Sequence, residues 1–486
     1  MIKRSRLVAL LAPVLLVSGC INLGPDYERP LTAFPKSYYG VKAVNESIAD
    51  LQWWQLFEDP QLQILIGEAL RENRDLQQAI ARVDEVRARY YTVRAEQFPT
   101  LDGSGSAGRG NSAERFIPGA GIEDQYTANL SAGYEVDLWG RFRRSTQAAR
   151  AELLASEENQ RTVLITLISD VASTYLLLRD LDARVVIAQD TLEARQDSTR
   201  IIQARYDKGT VPLLDVNQAQ IEEADAQARL ASQRRQQQEV ENALSVLIGS
   251  NPRKIIRGRA LRGQMFPVEV PSGLPAELLE RRPDIRAAEQ ALAAQTARIG
   301  VAKALRFPSI SLTANGGYIS DDLDDLLESD SELWNVQLDI LGPIFDAGKR
   351  KAQVDVEIAR TEQALKEYEQ TVLEAMQEVE DALAGIKYYR DELMARSNQL
   401  RAARSASALS RARYDGGITD YLEVLDSDRS LFDAQLQQSA VERLQLVSIV
   451  RLYKALGGGW PGSQIEDPTV AGITPVSAES AEQEEN

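Results

Sequence analysis

The sequence predicts a mixed α+β membrane protein whose long helices and short membrane strands occur twice along one chain. Three repeated pieces show the duplication: Phe98-Pro-Thr returns as Phe307-Pro-Ser, Ala204-Arg-Tyr-Asp-Lys-Gly209 as Ala412-Arg-Tyr-Asp-Gly-Gly417, and Leu247-Ile-Gly249 as Ala455-Leu-Gly457. Counted from Phe98, Ala204 and Gly249, the copies follow after 209, 208 and 208 residues, far beyond the roughly 20–50-residue period of solenoids. We therefore expect two similar halves, each with strands that lead into a long helical hairpin.

The N-terminus has the pattern of a lipoprotein signal peptide over residues 1–19. A basic start, Met1-Ile-Lys-Arg-Ser-Arg6, precedes an apolar stretch, Leu7 to Val17, that is too short to span a bilayer. Small residues then precede Cys20, the only cysteine among 486 residues, which excludes an internal disulfide. We predict that Cys20 is lipidated and becomes the first mature residue; Ile21, in place of Asp, favours transport to the outer membrane. The alternative is an ordinary signal peptide with an incidental cysteine.

Composition argues against several classes of function. The chain has 55 basic and 72 acidic residues, and loss of Lys3, Arg4 and Arg6 with the signal peptide takes the formal net charge from −17 to −20. Such an acidic chain is unsuited to binding nucleic acid. It has no histidine, so we predict no enzyme, no metal site and no cofactor besides the lipid on Cys20. Beyond the signal peptide, no run of 18 apolar residues predicts a transmembrane helix.

The order of parts divides the mature chain at its repeats. Residues 20–60 lead from the lipid anchor as an extended segment, and Asp59-Pro60 predicts the N-cap and the first residue of a helix. Two repeats are expected to follow, joined by an irregular equatorial linker and ending in an acidic, disordered tail: residues 61–250, 251–283, 284–457 and 458–486.

Each repeat is predicted to contain two strands of the length that a tilted transmembrane strand needs, about 9–11 residues. Weakly alternating, Gly- and Ser-rich sequence places them at about 99–109 and 125–138 in the first repeat. In the second repeat they are expected at about 309–318 and 334–345, on either side of the acidic loop 321–330.

The rest of each repeat predicts a long helical hairpin, at 142–248 and 349–456. Phe142 to Lys208 contains neither Gly nor Pro, and as one helix it would reach roughly 100 Å at about 1.5 Å per residue. Apolar residues recur at the three- and four-residue steps of a coiled coil: Leu164, Leu167, Val171, Tyr175 and Leu178. The tight turns between the helices are expected to contain Tyr206, Gly209, Gly416 and Gly417.

Four strands per chain cannot close a barrel, because the smallest known membrane barrels have eight. Open strand edges are not tolerated in lipid, since their N–H and C=O groups would have no partner there. The chain must therefore oligomerise, so that several copies share one β-barrel continuous with a tube of coiled-coil helices.

Seven motifs stand in order along nearly the whole mature chain: the lipobox, Gly24-Pro-Asp-Tyr-Glu-Arg-Pro30, Trp53-Trp54, Glu135-Val-Asp-Leu-Trp-Gly-Arg141, Arg281-Arg-Pro-Asp284, Phe307-Pro-Ser-Ile-Ser-Leu312 and Leu452-Tyr-Lys-Ala-Leu-Gly-Gly-Gly-Trp460. Together they resemble the TolC-like outer membrane factors, above all their lipoprotein (OprM/NodT-like) branch in RND efflux systems. The resemblance implies a homotrimer with a 12-stranded outer-membrane β-barrel and a periplasmic α-helical barrel. It also implies an exit duct for drugs or other small molecules, with a periplasmic membrane fusion (adaptor) protein and an inner-membrane RND transporter as partners.

The resemblance further implies a gate at the periplasmic ends of the hairpins. Asp215 and Tyr414 fall where a tyrosine–aspartate link joins the two hairpins. Residues on the helix after the second turn would form an apolar ring and two acidic rings around the axis, and the acidic rings would either hold a cation or be balanced by an arginine: Leu422, Glu423, Asp426 and Arg429. This chain has Thr419 where some relatives carry an arginine five residues after the tyrosine, so an ionic clasp there is not expected.

Several alternatives stay open at this point. Leu422 could be ordinary coiled-coil packing, Asp426 a solvated helix face, and Tyr206 and Tyr414 packing residues of the turns. The family also serves type I (ABC-driven) secretion, so an exit duct for that system is the main alternative function. A surface adhesin would not need paired ten-residue strands. Gly103-Ser-Gly-Ser-Ala-Gly108 formally matches a dinucleotide-binding loop but leads into another loop instead of a helix.

Overall fold

The computed structural model describes residues 21–30, 35, 37–38, 59–111, 122–264 and 275–458. The predicted signal peptide 1–19, Cys20 and residues 459–486 of the predicted tail lie outside these ranges. The fold is built from helices and one sheet, in an order that occurs twice along the chain.

The first repeat contains four helices and two strands: α1 (Pro60–Glu72), α2 (Arg74–Ala95), β1 (Thr100–Asn111), β2 (Ile122–Val136), α3 (Arg141–Asp207) and α4 (Leu213–Leu247). The predicted cap of α1 is confirmed. The Asp59 carboxylate accepts hydrogen bonds from the backbone N–H groups of Gln61 (3.0 Å) and Leu62 (3.4 Å), and Pro60 begins the helix, where its missing N–H costs nothing.

The second half of the chain has the same order of parts: α5 (Leu278–Arg281), which lies within the predicted linker, then α6 (Pro283–Ala304), β3 (Ser309–Ser320), β4 (Glu332–Leu341), α7 (Lys349–Asp415) and α8 (Tyr421–Ala455). The lengths match closely, since α3 and α7 each have 67 residues and α4 and α8 each have 35. The internal duplication that the sequence predicts is therefore confirmed at the level of whole helices. The predicted linker contains two short 3₁₀ turns, at Leu261–Gly263 and Pro275–Glu277.

The strand boundaries differ from the prediction most clearly at β4. This strand ends at Leu341, and Ile344 and Phe345 lie outside it with fully exposed side chains, although strand was predicted to residue 345. Gly342 and Pro343 explain the early end, because proline cannot donate a ladder hydrogen bond. β2 likewise ends at Val136 and begins at Ile122, three residues before the predicted start.

The four strands form one antiparallel sheet in the order β1-β2-β3-β4. The register pairs Leu101 with Ala132 between β1 and β2, and Ile310 with both Val136 and Ile340 at the other interfaces. Within the described part of the chain the outer edges of β1 and β4 face no further strand, which is the open arrangement that the sequence predicts.

The two compact units of the chain do not coincide with the two predicted repeats. One unit comprises residues 1–33, 78–161 and 283–373, and the other comprises residues 34–77, 162–282 and 374–486. Each unit therefore takes segments from both repeats. The reason is that helices of the first repeat pack against their counterparts in the second repeat, so neither repeat forms a core alone.

The first unit includes a short N-terminal segment, residues 21–29, that is fastened to α3 and α6. The Arg144 side chain is 2% exposed, donates to the carbonyl of Leu23 (3.0 Å) and pairs with Asp26 (2.9 Å). Arg29 makes two hydrogen bonds to the Glu289 carboxylate, at 2.8 and 2.9 Å. We call residues 21–29 the N-terminal strap.

Four of the five residues in the predicted coiled-coil stripe on α3 are buried, and the fifth, Leu164, is half-buried. Val171, Tyr175 and Leu178 have no exposed surface, and Leu167 is 6% exposed. By length and composition α3 could cross a membrane, since an 18-residue window within it has a mean hydropathy of 1.4. Half of the window is buried inside the protein, and a core helix passes the same test, so the finding is weak evidence for a span.

Candidate functional site: the sheet faces and the hairpin ends

The sheet has one apolar face and one polar face. Because side chains alternate along a strand, the observed register fixes which residues share a face. One face carries mainly apolar side chains: Leu101, Ala107, Leu130, Ala132, Val136, Ile310, Leu312, Trp334, Val336, Leu338 and Ile340. The other carries mainly small polar ones: Ser104, Ser106, Thr127, Asn129, Ser131, Ser311, Thr313, Asn315, Asn335 and Gln337. This division is typical of a membrane barrel with lipid outside and water inside.

On the polar face, side-chain hydrogen bonds join neighbouring strands. The hydroxyl groups of Ser106 and Thr127 lie 2.7 Å apart, and the Asn315 amide donates to Asn335 at 2.9 Å. Such short polar side chains interact with water and with many solutes without forming a pocket for any one of them. This face therefore suits the wall of an aqueous passage.

The two hairpin turns have the same backbone geometry. Gly209 and Gly417 both have φ +71°, a left-handed conformation that costs an L-residue about 1–2 kcal/mol. In each turn the following N–H reaches back to the last helical turn, from Thr210 to the carbonyl of Arg205 (3.0 Å) and from Ile418 to that of Arg413 (2.9 Å). Gly416 does not adopt a positive φ.

The predicted link between Asp215 and Tyr414 is not a hydrogen bond in this structure. The Tyr414 hydroxyl is buried and, among the described residues, has no hydrogen-bond partner. Its ring lies 5.3 Å from that of Tyr421, and the Arg205 guanidinium lies over it at 5.1 Å. Burial raises the pKa of Tyr414, the neighbouring Arg205 lowers it and the charge of Asp215 raises it, so Asp215 acts on Tyr414 through its charge.

The side chains after the second turn divide into an exposed pair and a held carboxylate. Leu422 is 56% exposed and Asp426, one turn later, is also exposed on the same helix face. Glu423 is held within its own hairpin instead, because Thr419 donates to its carboxylate (2.5 Å) and Arg413 lies 3.6 Å away. Thr419 therefore stabilises Glu423 through a hydrogen bond from a neutral hydroxyl group.

Arg429 was expected to balance the acidic rings of Glu423 and Asp426, but its hydrogen-bonded partner is a different carboxylate. Arg429 donates from Nε to the Glu222 carboxylate at 2.9 Å, across to α4, and not to Asp426 or Glu423. Glu222 is 6% exposed, and a buried carboxylate is costly without a cation beside it. The arginine is thus fixed to the other hairpin.

A cluster of charged side chains, which we call the ionic layer, joins all four hairpin helices. Arg195 of α3 pairs with Asp428 of α8 at 2.9 Å, and with Glu222 of α4 at the longer distance of 3.8 Å. Asp428 also accepts hydrogen bonds from two α7 residues, Ser407 at 2.5 Å and Arg411 at 2.9 Å. Together with Arg429, the ionic layer contains three guanidinium groups and two carboxylates.

Comparison with known proteins gives one consistent result. The family model for the outer membrane efflux protein matches residues 65–250 and 274–458. The solvent efflux pump outer membrane protein SrpC of Pseudomonas putida is 40% identical over 461 residues, which cover 93% of this chain and 98% of that one. The cation efflux system protein CusC of Escherichia coli O6:H1 is 34% identical over 450 residues, 92% of this chain and 97% of that one. The open-state crystal structure of the MtrE outer membrane channel of Neisseria gonorrhoeae superposes with a TM-score of 0.80 at 32% identity, covering 91% of this chain and 100% of that one.

The chain belongs to the outer membrane efflux protein family. This efflux protein is therefore a channel of the outer membrane and not an enzyme. Its four-stranded sheet is the contribution of one chain to a trimeric barrel of twelve strands. The apolar face of the sheet consequently faces lipid, and the polar face lines the passage.

The structure brings together only some of the site residues that the sequence predicts for this efflux protein. Tyr206, Gly209, Gly416 and Gly417 lie at the two turns, whereas Cys20 lies outside the described residues. Sequence reasoning missed Arg195, Glu222 and Asp428. A usable indication existed, since Asp428 stands at helical spacing among apolar residues that prove to be buried: Tyr421, Val424, Leu425 and Phe432. In the described part of the chain no group of three candidate metal ligands comes together.

Proposed function

We propose that this efflux protein is the exit duct of a tripartite RND-type pump and passes drugs or other small molecules from the periplasm to the outside. The two-faced sheet carries the proposal, because its face of small polar side chains suits the wall of an aqueous passage. The relatives named for solvent efflux and for cation efflux favour small solutes over polypeptides. A passive duct cannot drive transport, so we expect a periplasmic adaptor protein and an inner-membrane RND transporter as partners.

The charge of the wall favours neutral and cationic solutes. Four acidic side chains belong to the polar face of the sheet: Asp102, Glu123, Glu135 and Asp339. In the four strands the one basic residue is Arg109, which belongs to the other face and lies 3.6 Å from Asp124. Three copies around one passage would therefore repel anions.

We place the closure of the duct at the hairpin ends, on Leu422 and Asp426. Both side chains are exposed in one chain, on one face of α8, so they are free to meet their copies around an axis. Asp215 and Tyr414 support the closure through packing and charge, since no hydrogen bond joins them. Replacing Leu422 by Ser or Asp426 by Ala should raise single-channel conductance in planar bilayers.

We also propose that a lipid on Cys20 anchors the chain. The support comes from the N-terminal strap, in which the Leu23 N–H donates to the carbonyl of Trp139 at 3.3 Å. Trp139 follows the end of β2 by three residues and stacks on Phe307 with 4.7 Å between ring centroids. Aromatic residues at such positions mark the membrane interface, so the strap starts where an acyl chain could enter the lipid.

A deletion strain tests the function directly. We expect increased susceptibility to several unrelated small molecules, including an organic solvent, and restoration by the wild-type gene. Unchanged susceptibility together with loss of a secreted polypeptide would instead assign the duct to type I secretion. Mass spectrometry of the mature protein should find Cys20 acylated, and an unmodified Cys20 would contradict the anchor alone.

A further inference from the structure

The ionic layer lies between two apolar clusters whose buried residues come from three of its four helices, α3, α4 and α8. On the side of the hairpin turns, one cluster consists of buried residues from α3, α4 and α8: Ile202, Val216, Ala219, Tyr421, Val424 and Leu425. On the other side, a second cluster is built from the same helices: Ala188, Leu192, Ala226, Leu230 and Phe432. Arg195, Glu222 and Asp428 occupy the positions between them on each helix. The hairpin ends are thus packed as a separate apolar block.

The ionic layer differs from an apolar layer in how strictly it fixes the positions of the helices. Buried ion pairs give little net stability compared with apolar packing, but their directional bonds fix which residues face each other. Asp428 is shared between Arg195 and Arg411, and Glu222 between Arg429 and the more distant Arg195. With three cations for two anions, a small rotation can exchange one partner for another without leaving a carboxylate unpaired.

A buried hydroxyl offers one more partner for such an exchange. Tyr421 is 3% exposed, and its hydroxyl has no hydrogen-bond partner among the described residues. Arg195, Asp428 and Glu222 are its charged neighbours. Leaving a buried donor without a hydrogen-bond partner is destabilising. A second arrangement, in which this hydroxyl donates to one of the two carboxylates, would recover that cost.

We propose that the ionic layer is the pivot about which the hairpin ends move between a closed and an open channel. Arg195, Asp428 and Tyr421 are its positioning residues: the ion pair holds the closed arrangement, and the tyrosine hydroxyl completes the open one. The proposal rests on the closure at Leu422 and Asp426 proposed above. An open state is known for the MtrE channel, so a relative of this fold does adopt one.

The test removes the pivot while keeping the packing. Replacing Arg195 by Met, Glu222 by Leu and Asp428 by Leu in one triple variant should fuse the two apolar clusters into one. Arg411 and Arg429 keep 46% and 57% exposed side chains and stay solvated. In planar bilayers, we expect the full-length triple variant to open at least tenfold less often than wild type, with an unchanged or higher unfolding temperature. Tyr421→Phe should reduce opening several-fold, because it removes the hydrogen bond that we propose for the open arrangement and removes none from the closed arrangement.

A second buried charge cluster on the same helices provides the matched control. Asp180 is fully buried and accepts from Ser439 (2.5 Å), Arg184 (3.0 Å) and Arg443 (3.2 Å). The variant Asp180→Leu, Arg184→Met, Arg443→Met should change stability but not opening.

The outcomes separate the pivot from the gate. Wild-type opening in both the triple variant and Tyr421→Phe, with altered conductance in Leu422→Ser, would overturn the pivot and keep the gate. Unchanged conductance in Leu422→Ser and Asp426→Ala would overturn the proposed closure itself. If the triple variant fails to assemble, Tyr421→Phe decides alone, since it removes a single unpartnered oxygen.

Discussion

The two hairpins have one backbone but different chemistry. Their helices have equal lengths, and their turns carry glycines with the same φ of +71°. At equivalent positions 208 residues apart, the first hairpin has Arg195 where the second has Ala403, and Gln220 where the second has Asp428. Ala403 packs in an apolar cluster with Leu400, whereas Arg195 is buried in the ionic layer.

The difference teaches which features a duplicated unit keeps and which it changes. Turn glycines and helix lengths are kept because they set the path of the chain, and both copies need the same path. Buried side chains are free to diverge once the copies face each other, because a charge on one hairpin can be balanced by a charge on the other. The ionic layer uses this freedom, with Arg195 and Glu222 from one hairpin and Asp428 from its partner hairpin.

The largest expected effect comes from breaking that complementarity. Asp428→Ala leaves Arg195 buried without its close partner, which typically costs about 3–5 kcal/mol. The equivalent change in the first hairpin, Gln220→Ala, affects an exposed residue and should cost less than about 0.5 kcal/mol. Thermal unfolding of the detergent-solubilised trimer by circular dichroism compares the two. Equal midpoints would mean that the hairpins are energetically alike.

The second comparison asks which residue Arg429 serves. Arg429→Ala leaves the buried Glu222 carboxylate with only the 3.8 Å contact to Arg195, and we expect a loss of about 1–3 kcal/mol. Asp426→Ala should change stability by no more than about 0.5 kcal/mol, since its side chain is exposed. The same unfolding measurement applies. A larger loss from Asp426→Ala than from Arg429→Ala would restore the pairing that the sequence predicted.

The third comparison tests the shared backbone. Gly209→Ala and Gly417→Ala each force a left-handed alanine, at about 1–2 kcal/mol per site, and no atom within 4 Å of the new Cβ adds a clash. We expect equal losses at the two turns. Gly416→Ala, next to Gly417 but without a positive φ, is the control and should be close to neutral. Unequal losses would show that one turn relaxes in the trimer.

The smallest effect concerns pH at the hairpin ends. Burial, with the like charge of Asp420, raises the pKa of Asp215 above its ordinary value of 3.8. The folded protein therefore binds the proton of the Asp215 carboxyl group more tightly than the unfolded chain does. The resulting stabilisation of the folded state is present below the ordinary pKa and is lost as pH rises through the raised pKa. Asp215→Asn should remove this dependence, and Asp420→Asn should weaken it. Unfolding midpoints measured from pH 3 to pH 7 in roughly half-unit steps check both variants; an unchanged slope in Asp215→Asn would assign the dependence to other carboxylates.

Features with a local cause could be predicted from the sequence. The cap at Asp59 and the turn glycines depend on neighbouring residues, and the long helices follow from stretches without Gly or Pro. The predicted β4 is too long because Ile344 and Phe345 continue the apolar pattern of the strand, whereas Gly342 and Pro343 end it.

Partners that meet across the two hairpins could not be predicted from spacing alone. Arg429 and Glu222 are 207 residues apart, and several carboxylates near Arg429 in sequence were equally plausible partners. The burial of Asp428 was within reach, because it interrupts an apolar stripe. Its partner Arg195 was not, since a coiled-coil pattern alone does not say which helix faces which.

The N-terminal strap sets an order of events during biogenesis. Arg29 is held by Glu289, which lies 260 residues later in the chain. The contact between Arg29 and Glu289 therefore cannot form until α6 has been made, although the N-terminal strap is synthesised long before α6. The N-terminal strap would then be complete only after both repeats have been synthesised, so the residues that are synthesised first would fold last.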